Sequence, residues 1–463
     1  MIAKPIAVFW LVALPTLFLT EVLHAAIHFA DPNASSGPSY YLNIIDQLEP
    51  GDTLVLPAGT YRERLNLTGL QGTADGWITI TGPESGPPAI ITTESNCCNA
   101  VQLGDTWYVA VKNLTIDANS DGVNANVDGI NAKGGITHDI LIENCIIMGV
   151  SFDQQTVGVA TRSMAWNWVL KGNLILEAGT GMYLGNSDGS APFIGGTIEE
   201  NLYVDSIGYN MQIKYQNAYS APGGLPSGPR TTIIRNNVFL KRRPQSSWPR
   251  VKLSGGRPNL LIGGFPNSGS GSNDMYEIYG NFFYGNRDRE ALIQASGRVS
   301  IHDNVFVDGS WTAILLQHHD LPLKLAHVYH NTIYGGSRGI RFSSAAELES
   351  VVTGNLVFSE TPISGSIDTE SGNIVDLPTN AANYVKSPST ILGSMNFFPL
   401  PGRCTGPELD LSPFAGQTDY DADFNGASKG DFKFRGAYSG YGDNPGWQLD
   451  ITRKQVVSVP ATE

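Results

Sequence analysis

The sequence is poor in charged side chains and in cysteine. Charged residues make up 16% of the 463 positions, whereas glycine fills 52, which argues against a mainly helical protein and favours short strands joined by tight turns. The four cysteines, Cys97, Cys98, Cys145 and Cys404, are too few for a disulfide framework in so long a chain. No CxxC pair is present for a structural zinc ion. Because Cys97 and Cys98 are adjacent, we expect Cys145 to pair with one of them.

The N-terminal apolar run is short for a membrane span. It covers residues 5–19, follows a single lysine and precedes the small residues Ala25 and Ala26. This layout is typical of a secretory signal peptide. We therefore expect residues 1–25 to be removed and the mature protein to be secreted, periplasmic or at the cell surface, without stable membrane insertion after cleavage. A membrane anchor is the alternative.

A recurring phrase, in which apolar alternation runs into asparagine and then into another apolar pair, organises the chain. Examples are "TIEENLYVDS", "IIRNNVFLK" and "VSIHDNVFVDG". The asparagines that mark the phrase are Asn144, Asn173, Asn201, Asn237, Asn281, Asn304, Asn331 and Asn355. Their separations of 23 to 44 residues indicate a solenoid, whose repeats bury a shared core by stacking.

Within each repeat, period-two alternation predicts short strands rather than a pair of helices. Asparagine suits a tight bend because it tolerates the left-handed backbone region and can hydrogen-bond locally. Stacked coils would set these amides above one another as a ladder. The sequence therefore predicts an all-β protein, a right-handed parallel β-helix. A β-propeller, the alternative, needs longer repeats of four strands each.

The stretch "GDTLVLPAGTYRERLNLTGLQGTADGWITITGPE", residues 51–84, lies ahead of the repeats. It resembles the opening coils of secreted β-helix proteins of the chondroitinase B and alginate lyase type, a polysaccharide lyase-like group. The resemblance covers residues 40–95 and extends in general form, through the asparagine repeat, over residues 96–375. It implies a parallel β-helix that acts on polysaccharide, whereas the fold alone does not fix the chemistry.

The repeat fades after about residue 375. The segment "LDLSPFAGQTDYDADFNGASKGDFKFRGAYSG" resembles the C-terminal segment that closes many secreted β-helices. A solenoid needs such a segment because its last coil otherwise exposes core and unpaired strand edges. We expect residues 26–375 to form the β-helix and residues 376–463 to form an irregular C-terminal cap of the same domain.

Acidic residues are missing between residues 206 and 273, although the whole chain carries a formal net charge of −14. The cations of this span are Lys214, Arg230, Arg235, Lys241, Arg242, Arg243, Arg250, Lys252 and Arg257. The two longest separations of the repeat, 36 and 44 residues, indicate insertions here, and solenoid insertions often line the binding face. We therefore expect a cationic patch that binds an anionic polysaccharide. No nucleic-acid-binding module is present.

The strand "GYNMQIKYQN" contains the leading catalytic candidate, Lys214. If Met211 and Ile213 face the core, alternation turns Asn210, Gln212 and Lys214 outward together. In the resembled lyases, a lysine on a groove strand removes the proton at C5 of a uronate. The resemblance therefore implies Lys214 as the catalytic base.

Three further residues are predicted to take part in catalysis. Arg250 and Arg257 would neutralise the substrate carboxylate, as an arginine does in the resembled lyases, and Tyr215 would donate a proton. This sequence departs from the family pattern in two ways: neither arginine lies in an "LRHG" motif, and Asn210 and Gln212 stand where the resembled lyases place acidic calcium ligands. The predicted contacts to substrate are Asn210, Gln212, Arg230, Arg243, Lys252, Gln294, Gln317, His319 and Arg341.

A candidate calcium loop lies at "DANSDGVNANVD", residues 117–128. Asp117, Asn119, Asp121 and Asp128 match the ligand spacing of a twelve-residue calcium loop. The flanking segments predict strands, not the paired helices of an EF-hand, so we expect any calcium here to be structural. A turn cluster without metal is the alternative.

The leading functional prediction is a polysaccharide lyase that cleaves an acidic, uronate-containing polysaccharide by β-elimination. One alternative is a non-catalytic glycan-binding or cell-surface β-helix, and another is an epimerase or glycoside hydrolase on the same scaffold. Hydrolysis needs two carboxyl groups that flank the bond, for which Asp320 and Glu290 are the candidates.

Overall fold

The computed structural model describes residues 25–93, 99–119, 127–250 and 255–455. In these residues the chain winds as a right-handed parallel β-helix, and successive coils add strands to three parallel sheets in sequential order. This confirms the predicted fold class. Cys97, Cys98, Asp121 and Lys252 lie outside the described residues, as does most of the predicted signal peptide. None of the helices in the described residues has the length and apolar character that a membrane crossing requires.

Each sheet is read along the solenoid in chain order. Among the described residues, the first sheet contains Ile27–Phe29, Thr53–Val55, Ile78–Thr81, Thr106–Lys112, Thr137–Glu143, Val169–Lys171, Thr197–Glu199, Thr231–Arg235, Met275–Tyr279, Gly297–His302, Leu323–Tyr329, Glu349–Thr353 and Thr369–Ser371. Ala165–Trp166 pairs with Thr137–Glu143, and Phe193–Ile194 pairs with Ala165–Trp166. The second sheet contains Gly59–Tyr61, Ala89–Thr92, Leu114–Asp117, Ile146–Met148, Leu174–Leu176, Leu202–Val204, Val238–Leu240, Phe282–Tyr284, Val305–Val307, Thr332–Tyr334, Leu356–Phe358 and Ile374–Asp376.

The third sheet positions the candidate site. It contains Leu65–Asn66, Val101–Leu103, Ile130–Ala132, Val157–Thr161, Thr180–Leu184, Met211–Ile213, Leu260–Ile262, Ile293–Ala295, Thr312–Leu316, Arg338–Phe342 and Thr361–Ser364. The remaining described elements are the α-helix Tyr41–Ile45, the 3-10 helices Gln245–Ser247, Pro378–Asn383 and Ser412–Phe414, and the antiparallel pair Val385–Ser387 and Asn396–Pro399.

The interior is filled by side chains that repeat from coil to coil. Tyr203, Phe239, Phe283 and Phe306 stack face to face, with ring centroids 4.7, 4.6 and 4.9 Å apart. These separations match the spacing of about 4.8 Å between paired strands, so each ring covers the face of the next. The stack is fully buried, and burial of each such ring stabilises the fold by about 2 kcal/mol.

A ladder of asparagines closes the bend between the first and second sheets. Asn201 is typical: its backbone N–H and its Nδ2 both donate to Oδ1 of Asn237, at 3.0 and 2.9 Å, and Nδ2 also donates to the carbonyl of Leu170 at 2.7 Å. The described ladder consists of Asn173, Asn201, Asn237, Asn281, Asn304, Asn331, Asn355 and Asn373. This arrangement confirms the predicted ladder and adds Asn373 to it.

Asn144 is wrongly assigned to the ladder. It has a left-handed backbone with φ of 54°, and this position lies one residue before the ladder. Cys145 fills the ladder position, where its N–H donates to Oδ1 of Asn173 at 2.9 Å. The Cys145 side chain is a free thiol buried in the core, 3.7 Å from the carbonyl of Val111, so it does not form the expected disulfide in this structure.

Residues 376–455 pack along the flank of the coils and share a hydrophobic core with the second sheet. The Phe414 ring stacks on the Tyr329 ring with centroids 4.2 Å apart, and the Trp447 and Phe282 ring centroids are 5.8 Å apart. The buried Lys454 ammonium donates to Oδ1 of Asn236 at 2.9 Å and to the carbonyl of Gly280 at 2.7 Å. The segment therefore runs back across many coils, and the last strand of the first sheet, Thr369–Ser371, stays exposed.

The ladder makes a direct stability prediction. Asn237→Ala removes the acceptor of two Asn201 donors and the donor to the Ile198 carbonyl. Because buried groups left without partners cost about 1–3 kcal/mol each, we expect the free energy of unfolding to fall by about 3 kcal/mol. Urea titration followed by circular dichroism measures this change. Asn33→Ala, at an exposed asparagine, is the control, and an equal loss in both variants would contradict the role of the ladder.

Candidate functional site

A row of polar side chains lines the outer face of the third sheet. The strand register places Asn131 opposite Ala160, Ala160 opposite Tyr183, and Tyr183 opposite Gln212. Side chains at one register position of parallel strands point the same way. Gln212 therefore lies in a continuous row with Asn131 and Tyr183, as alternation in its strand predicts.

A second, cationic row follows where these strands end. Lys133, Arg162 and Lys214 each come directly after a third-sheet strand, and Gly185 holds the same place in the coil between Arg162 and Lys214. Since neighbouring strands lie about 4.8 Å apart, Arg162 and Lys214 are separated by two strand spacings. Glycine leaves room between the two cations.

The two rows border an open cavity of about 690 Å³ on the third sheet. Its lining combines cations, tyrosines and amides with one carboxylate. The lining residues are Asn99, Asp128, Asn131, Lys133, Gln154, Gln155, Val157, Arg162, Thr180, Tyr183, Ser187, Tyr209, Gln212, Lys214 and Arg257. We refer to this space as the cationic cavity. Four cations against one carboxylate favour an anionic ligand.

Two tyrosines of the cationic cavity lie beside its arginines. The Arg162 guanidinium lies 5.2 Å from the ring centre of Tyr183, and that of Arg257 lies 6.0 Å from the ring centre of Tyr209. Burial raises the pKa of both phenols, more than the nearby guanidinium groups lower it. Both tyrosines therefore keep their protons at neutral pH and can donate hydrogen bonds to a ligand.

Lys214 lies at the edge of the cationic cavity, where a loop from later coils approaches it. Its Nζ is 3.9 Å from a carboxylate oxygen of Asp320 and 5.4 Å from the ring centre of Tyr215. Nε2 of His319 lies 3.6 Å from the same Asp320 oxygen. The fold thus brings together Lys214, Tyr215 and His319, which the sequence analysis named separately.

Two carboxyl groups from later coils act on the same part of the cavity. Glu290 and Asp320 both influence Tyr209 electrostatically. Burial raises the pKa of Glu290, against the opposing effects of Lys241 and Arg257. A carboxyl group of raised pKa beside a cationic cavity is a candidate acid.

The described residues of the predicted calcium loop make separate hydrogen bonds. Asp117 accepts the backbone N–H of Asn119 at 2.9 Å, which closes a local turn. Asp128 instead faces the cationic cavity, where it accepts hydrogen bonds from Nδ2 of Asn131 at 2.7 Å and from Arg162 at 3.3 Å. Among the described residues, no group of three or more His, Cys, Asp or Glu side chains could hold a metal ion. Calcium binding stays a prediction.

Asn210 was wrongly expected to face outward. It is fully buried, and its Nδ2 donates to the carbonyl of Leu240 at 3.2 Å and to Oγ of Ser206 at 3.4 Å. The reason is that Asn210 lies in the bend before the strand Met211–Ile213, where the alternation that turns Gln212 outward does not yet apply.

Three predicted contacts lie on later coils of the third sheet. Gln294 is two strands beyond Gln212 in the same row, and Arg341 is four strands beyond it. Gln317 follows the strand Thr312–Leu316. All three extend the face on which the cationic cavity lies but do not belong to the cavity lining.

The basic span 206–273 does not form one patch. Most of its cations pair with groups contributed by other coils: Arg230 with Asn167, Arg235 with Glu199, Lys241 with Asp288, Arg242 with Asp205 and Arg243 with Glu177. Arg250 lies over the Phe152 ring at 4.5 Å, outside the cavity lining. Of the predicted basic residues described, Lys214 and Arg257 line the cavity. Although residues 206–273 contain no acidic residue, acidic side chains from other coils lie beside several of their cations.

Sequence reasoning missed Lys133, Arg162, Tyr183 and Tyr209. A signal for the two cations was present, because "GINAK", "VGVATR" and "MQIK" each end a third-sheet strand with a basic residue. Aligning strand ends, rather than counting charge along the chain, would have placed Lys133 and Arg162 beside Lys214.

Comparison with known proteins shows likeness of fold. No protein-family model and no curated protein sequence matches the chain. Among solved structures it is similar to the GH136 lacto-N-biosidase from Eubacterium ramulus, with 13% identity, coverage of 76% of this chain and 68% of that chain, and a TM-score of 0.43. It is similar to an alginate lyase from Paenibacillus sp. str. FPU-7 with 13% identity, coverage of 72% of this chain and 95% of that chain, and a TM-score of 0.36. It is also similar to the A-module of the Azotobacter vinelandii mannuronan C-5 epimerase AlgE4, with 16% identity, coverage of 71% of this chain and 89% of that chain, and a TM-score of 0.41.

We expect an arginine of the cationic cavity, such as Arg162, to contribute more to the binding of an anionic glycan than an arginine outside it. Arg162→Gln removes a cavity cation, and we expect the affinity for alginate or polygalacturonate to fall about tenfold, because charge-assisted hydrogen bonds to carboxylate are lost. Affinity electrophoresis through gels cast with each polymer measures this. Arg243→Gln, at a half-exposed arginine outside the cavity, is the matched control. Equal retardation of both variants would show that the cavity does not select the glycan.

Proposed function

We propose that this protein is a secreted polysaccharide lyase that cleaves an acidic, uronate-containing polysaccharide by β-elimination. The observation that carries the proposal is the cationic cavity, in which four cations, two protonated tyrosines and one carboxylate line a single open space on the third sheet. An open cavity on the side of a solenoid suits a polymer, which can lie across several coils.

The cations provide the first requirement of the reaction. A uronate carries its carboxylate next to C5, and removal of the C5 proton builds further negative charge on that group. Guanidinium groups hold a carboxylate through paired hydrogen bonds, and fixed positive charge near the developing anion lowers the barrier. We assign the binding of the substrate carboxylate to Arg162 and Arg257 because both line the cavity. Each also lies beside a tyrosine.

Lys214 and Tyr209 supply the proton transfers. To act as the base, Lys214 must first release its ammonium proton to solvent; Nζ then takes the proton from C5, the C4–O bond breaks, and a double bond forms between C4 and C5. The departing oxygen takes a proton from the Tyr209 phenol, which burial keeps protonated. Tyr215, the candidate donor from sequence, lies next to the Lys214 ammonium, whereas Tyr209 lines the cavity itself.

A glycoside hydrolase is the second candidate, and one observation favours it. Glu290, whose pKa is raised by burial, and Asp320 both act on Tyr209, and hydrolysis requires one protonated and one ionised carboxyl group near the bond. The two reactions leave different products. Elimination creates an unsaturated uronate that absorbs ultraviolet light, whereas hydrolysis creates reducing ends without that absorbance.

The proposal predicts ultraviolet-absorbing products from at least one uronate-containing polysaccharide. Purified protein is incubated with alginate, polygalacturonate, chondroitin sulfate and hyaluronan while absorbance and reducing ends are followed. We expect Lys214→Ala to lower the rate about a thousandfold, as removal of a general base does. Lys433→Ala, at an exposed lysine of the C-terminal segment, should keep the full rate.

Each contrary result selects another function. Reducing ends without absorbance would identify a hydrolase, and retention on a polymer without products would identify a glycan-binding protein. Proton exchange at C5 without chain cleavage would identify an epimerase. An undiminished lyase rate in Lys214→Ala would remove Lys214 as the base.

A further inference from the structure

The basic insertion leaves the second sheet after Val238–Leu240 and enters the third sheet at Leu260–Ile262. In another coil, residues 177–179 alone make this connection, between Leu174–Leu176 and Thr180–Leu184. Here residues 241–259 make it. Lys241 stands at its start and Arg257 near its end, so the position of Arg257 in the cationic cavity depends on how the insertion is closed at its base.

A buried lysine joins the two ends of the insertion. The Lys241 side chain is fully buried, and its Nζ donates to the backbone carbonyl of Arg257 at 2.7 Å. The same Nζ lies 3.6 Å from a carboxylate oxygen of Asp288. Nδ2 of Asn286 donates to the Arg257 carbonyl as well, at 2.8 Å. Two donors, one at the start of the insertion and one from the next coil, thus fix one carbonyl, which belongs to the residue whose guanidinium lines the cavity.

Asp288 ties both arms of the insertion to the next coil. Its Oδ1 accepts the backbone N–H of Gln245 at 2.9 Å, and its Oδ2 faces Lys241. Gly256 packs directly on the same segment, since a Cβ there would lie 2.9 Å from the Asp288 carbonyl and 2.5 Å from Cγ of Glu290. The base of the insertion is therefore fixed before and after its tip.

A fully buried ammonium is not a gain in stability by itself. Removing Lys241 from water is costly, and burial lowers its pKa to about 8, against the opposing attraction of Asp288 and Glu290. Buried ion pairs are weak contributors to stability, and their best-attested use is to fix one geometry among several. A long insertion has many closed conformations, and a single buried donor at its base selects one of them.

We propose that Lys241 is a positioning residue: its ammonium, with Asp288, closes the base of the basic insertion and so places Arg257 in the cationic cavity. The effect on catalysis rests on the proposed function, whereas the effect on the insertion does not. Lys241 does not line the cavity and acts through the Arg257 backbone.

The test compares hydrogen–deuterium exchange over residues 255–262 in three variants. Lys241→Met/Asp288→Asn removes the buried charges together, so neither is left unpaired. Gly256→Ala displaces the same arm without touching Lys241. We expect amide exchange in 255–262 to accelerate at least about tenfold in both. Lys454→Met, which removes another buried lysine whose ammonium bonds Asn236, Gly280 and Phe424 rather than the insertion, is the matched control and should leave exchange there unchanged.

A second readout connects the insertion to substrate. On whichever polymer the wild type binds, the double variant should weaken retention about tenfold. If that polymer is also cleaved, kcat should fall as well, because Arg257 is then displaced from the developing anion. Unchanged exchange over 255–262 in the double variant would overturn the proposal. If that variant does not fold, Asp288→Asn alone, which removes the carboxylate that Lys241 faces, decides by the same measurement. If the double variant exchanges faster over 255–262 than the wild type, and the wild type forms no lyase product, the positioning role of Lys241 is upheld and the lyase is rejected.

Discussion

Hydrogen bonding between successive coils is the interaction on which the rest of the structure depends. Each strand pairs with the strand one coil before it and one coil after it, and the asparagine ladder repeats the same connection at the bend between the first and second sheets. In such a stack, the neighbours of a side chain are set by register rather than by nearness in sequence. The cationic cavity is a consequence, because Lys133, Arg162 and Lys214 come from separate coils and meet at one register position.

The fold could be predicted because its main signal is local and repeated. Every ladder asparagine closes a bend and accepts the backbone N–H of the coil before it, and most accept a side-chain amide as well, so the residue type recurs from coil to coil. The exception shows the limit of the pattern. In each coil, a bend residue with left-handed backbone directly precedes the ladder residue, and both positions favour asparagine. Asn144 and Asn173 therefore look alike in sequence although they occupy different positions. Only the register of the coils places Asn144 in the first position and Cys145 in the second.

The candidate site could be predicted in part, for a related reason. Alternation within Met211–Ile213 correctly turns Gln212 outward and leads to Lys214, but alternation does not apply to Asn210 in the preceding bend. Charge counted along the chain was a poor guide, because Glu177, Glu199 and Asp205 reach the basic span from earlier coils. What gives the insertion its role is the placement of one residue, Arg257, by a buried lysine and not the number of its cations.

The central claim is that the third sheet holds an acidic glycan over the cationic cavity. A crystal structure of Lys214→Ala with a short uronate oligosaccharide tests it most directly. The account predicts that a substrate carboxylate lies within hydrogen-bonding distance of Arg162 or Arg257, with the sugar chain over Tyr183 and Gln212. An oligosaccharide bound elsewhere, for example beside Arg243 or on the flank covered by residues 376–455, would contradict it.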